Sequence, residues 1–377
     1  MIYSMEKSEI LVIYGHDPSE MAQKIAEAAN LAALIGDQKK RVGLKPNLVV
    51  SRPADGGATT HPEIAAGLIA YLKKNSFNNL VILEGSWVGD STSDAFTVCG
   101  YRKLAKETGV ELIDTQTDKA KAYDCKGMKI EICDSAGAVD FMINLPVMKG
   151  HCQTLLTCAL KNNKGIMPDR EKRRFHSEGL HKPIAHLNTV ARNDFIVVDG
   201  ICGDLDFEEG GNPVYAGRMF AALDPVLCDS WAANLMGLDI EDIPYIGLAG
   251  KLGVGTADIA KAKVRELTSP AEFQENLHSQ GMSAGIPRPG GKVKQLASYI
   301  HEDSACSACY AGLVFALSRL SRSELNNLKA PIAIGQGFQN KQGKIGIGRC
   351  TKSFTASCPG CPPGGSDILK FILRLIH

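Results

Sequence analysis

The chain of 377 residues contains no run of eighteen apolar residues, so no transmembrane helix is expected. It has no charge imbalance either: 42 Lys and Arg stand against 41 Asp and Glu, a net charge of +1. A nucleic-acid-binding protein usually carries a basic stripe, and none is present. The first strand-like segment is not followed by Gly-x-Gly-x-x-Gly, which argues against a dinucleotide site of the usual kind. Neither a fixed-period repeat nor a low-complexity tract is found. The opening "MIYSMEKSEILVIYG" holds a glutamate and no long apolar region, unlike a secretory signal, so a cytoplasmic location is expected. In that reducing compartment twelve cysteines are not expected to form a disulfide framework.

What is present is a repeated pattern. Short apolar runs, "EILVIY", "RVGLKPNLVV", "NLVILEG", "VELIDT", "DFMINLPVMK" and "DFIVVDG", alternate with amphipathic helical stretches. Strands that are apolar throughout are those buried on both faces, which predicts an α/β fold of mostly parallel sheets covered by helices. "TTHPEIAAGLIAYLKK" reads as a helix with capping-box spacing between Thr60 and Glu63. The Gly/Pro/Lys-rich stretch 281–295 reads as a boundary. It divides an α/β body, 1–290, which can hold two subdomains, from a smaller cysteine-rich α/β domain, 291–377.

Cysteine is segregated in the same way. Cys99, Cys125, Cys133, Cys152, Cys158, Cys202 and Cys228 are scattered, as small buried hydrophobes would be. Cys306, Cys309, Cys350, Cys358 and Cys361 crowd the last quarter. Four thiolates from this set can bind zinc or an iron–sulfur cluster. Proline directly after Cys361 resembles the end of a bacterial ferredoxin run, and the gap between the two Cys-x-x-Cys pairs exceeds that of a zinc ribbon. A [4Fe-4S] cluster is therefore expected, with zinc as the alternative. Of the five, Cys358 is the spare or alternate ligand.

In open α/β sheets ligands gather outside the carboxyl ends of the strands. Those ends carry Lys45, Asn47, Glu84, Lys149, His151 and Asp199. The segment "NLPVMKGHCQTLLTCALKNNKG" is the densest. It reads as a strand ending at Lys149, then a short helix with Leu155, Leu156, Ala159 and Leu160 inward, ending in Lys161, Asn162 and Lys164. Lysines and amides beside glycines suit an anionic ligand. His151 and Lys149 are the candidate catalytic groups. Lys45, Asn47, Glu84, Lys161, Asn162 and Lys164 are the candidate binding groups. His176, His181 and His186 are spaced by five, which does not place all three on one helical face.

The fragments "KPNLV", "TTHPEIAAGLIAYL", "EGSW", "INLPVMKGHCQTLLTCALKNNKGIMP", "FIVVDGICG", "DPVLCDSWAANLMGLDIEDIPYI" and "CSACYAGL…GRC…GCPP" resemble, in order, the iron–sulfur protein family called domain of unknown function 362. That family is distantly similar to the nickel-dependent lactate racemases. The resemblance implies an iron–sulfur protein of the kind found in anaerobes, with cluster ligands at Cys306, Cys309, Cys350 and Cys361. It supplies no reaction. The expected function is that of a redox enzyme or electron-transfer protein, acting on a small anionic substrate or organic cofactor and served by a redox partner protein. Two alternatives stand beside it: an isomerase- or lyase-like enzyme with a structural metal centre, and a carrier of cluster or cofactor. Nucleic acid and membrane are not expected as partners.

Overall fold

The computed structural model describes residues 4–269, 271, 273 and 295–376. The expected boundary at 290/291 falls outside the described residues. Strands of the body are, in chain order, β1 (Glu9–Tyr14), β2 (Val42–Pro46), β3 (Leu80–Glu84), β4 (Glu111–Asp114), β5 (Ala120–Asp124) and β6 (Lys129–Cys133). They continue with β7 (Phe141–Leu145), β8 (Lys149–His151), β9 (Leu155–Thr157), β10 (Phe195–Asp204), β11 (Pro213–Ala222) and β12 (Lys263–Glu266).

Eight of them form one sheet in the order β12-β1-β11-β10-β7-β2-β3-β4. Every pairing is parallel except the two made by β11, with β1 and with β10. Side chains alternate across a strand, so an apolar run feeds two cores at once. Ile10 and Val12 enter one core while Leu11 and Ile13 enter the other, and Ile196 and Val198 divide from Phe195 and Val197 in the same way. Helices Pro18–Ala29 and Pro62–Lys74 cover one face; His181–Leu187, Pro225–Leu235 and Pro244–Lys251 cover the other. The expected α/β architecture is what the chain adopts.

Two local readings need correction. Leu155–Thr157 is not helical: it pairs antiparallel with Lys149–His151 as a hairpin, and the helix is confined to Ala159–Asn162. The capping box at Thr60 is also absent, because His61 is the N-cap of the helix Pro62–Lys74. The Thr60 hydroxyl instead donates to the Leu145 carbonyl at 2.7 Å and accepts from the Asn47 N–H at 2.8 Å, tying the helix entry to β7 and β2.

The C-terminal part holds a second, all-parallel sheet of β13 (Ile300–Glu302), β14 (Ile332–Ile334), β15 (Ile345–Ile347) and β16 (Ala356–Cys358). Helices Ser307–Leu317 and Gly365–Ile376 close a third core around Leu313, Leu317, Ile332, Ile368 and Ile372. Cys152 and Phe207 of the body belong to this core as well, so the two parts are joined by apolar packing beside the strand ends. Among the described residues no helix is long and apolar enough to cross a membrane.

Candidate functional site

β2, β3, β7 and β10 are mutually parallel, so their carboxyl ends deliver side chains to one edge of the sheet. A cavity opens there. Its polar lining includes Asn47 after β2, Glu84 at the end of β3, His151 on β8 and Thr157 on β9. Lys161, Asn162 and Lys164 come from the turns after that hairpin, Lys172 and His176 from the helix Asp169–Ser177, and Glu208 and Glu209 from the loop between β10 and β11. Val49, Trp87 and Val88 supply its apolar wall. The C-terminal part contributes one residue, Cys306.

Six of the sequence-selected residues therefore share this cavity: Asn47, Glu84, His151, Lys161, Asn162 and Lys164. Lys45 and Lys149 lie behind its wall. Lys45, fully buried, forms an ion pair with Glu84 and donates to the Pro46 carbonyl at 3.2 Å. Burial works against both charges of that pair, and each charge supports the other. Gly165 is required beside it, since a Cβ there would sit 2.3 Å from Glu84 Oε1 and 2.7 Å from Lys45 Nζ. Lys149 donates to Asn47 Oδ1 at 3.1 Å, to the Glu208 carbonyl at 2.7 Å and to the Ala58 carbonyl. Burial brings its pKa down to about 7. Both lysines brace the loops of the site.

His151 has a defined tautomer. Its Nδ1 accepts the backbone N–H groups of Gln153 at 3.0 Å and Thr154 at 3.2 Å. The neutral ring therefore carries its proton on Nε2, which faces Glu208 Oε1 at 3.5 Å. Burial, followed by the charges of Lys161 and Lys164, holds the imidazole well below its usual pKa. Glu208 also accepts from the Cys152 backbone N–H and thiol, both at 3.1 Å. His151, Cys152 and Glu208 offer ligand atoms close enough to hold a metal ion. Cys158, Cys228 and Asp229 do so as well, yet Asp229 already accepts the Ala159 N–H at 2.7 Å and acts as a helix cap.

The remaining cations are of two kinds. Lys172 is tied to the carbonyls of Gly85 and Ser86, at 3.2 and 2.8 Å, and to Asp169 at 3.3 Å. Lys161 has no hydrogen bond or contact ion pair among the described residues, and burial lowers its pKa to about 8. Among the described residues Lys164 meets only His176 Nε2, at 3.4 Å. His181 instead stacks on Tyr245, and His186 bonds the Cys125 carbonyl. Glu209 is pushed up to about 7 by burial and by the adjacent Glu208.

The terminal cysteines fall into two environments. Cys306, at the N-cap of the eleven-residue helix Ser307–Leu317, has its thiol pKa raised to about 11 by burial and then by Cys350 and Cys361. Burial raises Cys309 further, with Cys306, Cys361 and Cys350 adding to it. Cys350 and Cys361 thus stand near enough to act on both Cys306 and Cys309, and four sulfurs gathered in this way form a donor set suited to a cationic centre. Two amides also reach these sulfurs, Gln336 Nε2 to Cys306 Sγ at 3.8 Å and Gln339 Nε2 to Cys350 Sγ at 3.7 Å. Gly348, at φ +86, leaves room beside Cys309, where a Cβ would lie 3.7 Å from Sγ. Cys358 lies apart from this group, buried in the third core, with Asp367 as its charged neighbour.

Trp87 and Thr157 lie within the fragments that carry the family resemblance, but sequence patterns single out neither of them, nor Lys172, Glu208, Glu209, Gln336 or Gln339.

The family model described as "Domain of unknown function (DUF362)" matches residues 42–234, the segment that builds the strand-end cavity. A thylakoid-associated protein of Synechocystis sp. is 23% identical over 248 residues, covering 63% of this chain and 74% of that protein. Among solved structures, the lactate racemase apoprotein from Thermoanaerobacterium thermosaccharolyticum aligns with a TM-score of 0.41 at 15% identity. That alignment covers 63% of this chain and spans 60% of the racemase chain.

Proposed function

The chain belongs to the DUF362 family, and from that premise we propose that it holds one [4Fe-4S] cluster on Cys306, Cys309, Cys350 and Cys361 and acts as a redox enzyme on a small anionic molecule in the strand-end cavity. One observation carries this reading: Cys306 belongs both to the group of four mutually interacting cysteines and to the wall of the cavity. A centre bound there lies beside any molecule that Lys161 holds in the cavity.

The donor set also favours a cluster over zinc. Tetrahedral Zn–S bonds of ~2.3 Å bring sulfurs to within roughly 3.8 Å of each other. Among the described residues, the groups of three ligand atoms within 4.8 Å of one another contain none of these four cysteines. Thiols that converge electrostatically at wider separation suit a polynuclear centre.

When bound, the cluster would supply one-electron chemistry at the cavity wall. The chain's own residues do the rest. Lys161 binds negative charge, while Lys164, three residues on, stands against His176 with its pKa held well below the usual lysine value by burial and then by Lys161. His151 presents its Nε2 proton to Glu208, so the pair can give and take a proton at the substrate. Trp87, Val49 and Val88 keep water from the reacting end. Cys361 is exposed, which gives a redox partner protein access to the outer edge of the centre.

The test is a set of single alanine variants purified without oxygen. Cys306→Ala and Cys361→Ala should each lose iron and the visible chromophore, while Cys358→Ala should retain both. A colourless wild-type protein containing zinc would refute the reading.

A further inference from the structure

We propose that the cavity takes a monocarboxylate with an apolar body, its carboxylate on Lys161, Trp87 and Thr157 and its hydrocarbon part against Val49 and Val88. This deepens the reading of the cavity as the substrate site and rests on it.

The argument begins with donors that have no acceptor. Lys161 makes no hydrogen bond or contact ion pair among the described residues. The indole N–H of Trp87 and the hydroxyl of Thr157 are buried and likewise without a partner. All three residues line the same cavity. An ammonium and an indole N–H can only donate, so what completes them is an acceptor. Buried polar groups are nearly always paired, and two unpaired ones in the lining of one cavity, with the half-buried Lys161 in the same lining, mark where a ligand's oxygens sit. A carboxylate has acceptor positions enough for all three.

The rest of the lining sets the size of the charge. The other cations are already engaged: Lys45 by Glu84, Lys149 by three oxygens, Lys172 by two carbonyls and Asp169, and Lys164 by His176. Glu208 and Glu209 stand in the same lining and oppose further negative charge. One uncommitted ammonium facing two carboxyl groups fits a single negative charge and disfavours a dianion. The side chains of Val49, Trp87 and Val88 give no hydrogen bond to a polar tail other than through the indole N–H, so the body of the ligand is hydrocarbon or aromatic.

The test is calorimetric titration of the full-length, anaerobically purified protein with benzoate, with benzamide as its neutral isostere, and with inorganic phosphate. Benzoate should bind saturably and benzamide at least tenfold more weakly. Lys161→Met should weaken benzoate at least tenfold, Trp87→Phe severalfold, and Lys161→Arg, which keeps the charge, should stay within severalfold of wild type. Thermal unfolding of each variant identifies any that fail to fold. Absence of benzoate binding, equal binding of benzamide, tighter binding of phosphate, or unaltered binding by a folded Lys161→Met protein would each overturn the proposal. Iron is assayed on the same samples. A protein loaded with iron that ignores benzoate defeats this inference alone, whereas an iron-free protein that binds it defeats the iron–sulfur reading alone.

Discussion

Nε2 of Gln336 lies 3.8 Å from Sγ of Cys306, the sulfur at which the cysteine group and the cavity meet. An N–H donor to a ligating sulfur stabilises the reduced, more negative form of a cluster and raises its potential. Gln336→Leu should therefore lower the midpoint potential by on the order of tens of mV, read by spectroelectrochemical titration. Gln339→Leu, acting on Cys350, should do the same. An unchanged potential in both variants would remove Cys306 and Cys350 from the ligand set.

A second expectation concerns the ion pair of Lys45 and Glu84, both buried. Removing one partner leaves the other charge buried and uncompensated, a loss of about 3–5 kcal/mol. Urea denaturation of Lys45→Met should show a fall of that size without a change in the denaturant slope. A loss below about 1 kcal/mol would mean that the pair is well solvated in solution, contrary to its burial.

His61 gives a pH signature. Burial pulls its pKa down, but the Asp199 carboxylate, 2.7 Å from Nδ1, outweighs that and raises it from 6.5 to about 9. A raised histidine stabilises the fold fully below its unfolded pKa, and the contribution fades as pH climbs from 6.5 through about 9. The amount is about 3 kcal/mol. Comparing wild type with His61→Gln between pH 6 and pH 10 should show the difference in stability shrinking across that range. A pH-independent difference would argue that His61 stays neutral.

Ligand binding should carry its own pH dependence. Burial lowers the Lys161 pKa to about 8, so its charge is in place below that pH and is lost above it. Benzoate affinity should begin to weaken near pH 7, as Glu209 loses its proton and Lys149 its charge, and then fall further, approaching tenfold per pH unit well above the pKa of the complex. Affinity that holds level to pH 10 would show that another group binds the carboxylate.

The fold was legible because its signals are strong ones. The apolar runs of β2, β3, β7 and β10 are buried on both faces, and period alone marks them as central parallel strands. Their polar ends led directly to Asn47, Glu84 and His151. The failures have equally physical causes. Leu155, Leu156, Ala159 and Leu160 have the spacing of a helix face, yet the first two belong to a three-residue strand, too short to show an alternation of its own. Lys45 and Lys149 looked like free cations because their acceptors, Glu84, Ala58 and the Glu208 carbonyl, are distant in sequence. Trp87, Thr157 and Glu208 stand where loops converge, an arrangement that tertiary packing makes and no spacing encodes.

The central claim is that four cysteines, with Cys306 at the cavity wall, carry an iron–sulfur cluster, and iron and acid-labile sulfide per chain test it most directly. Anaerobically purified protein should contain about four of each, with a brown absorbance that bleaches on adding dithionite. A folded, colourless protein with stoichiometric zinc, or with no metal, would contradict it.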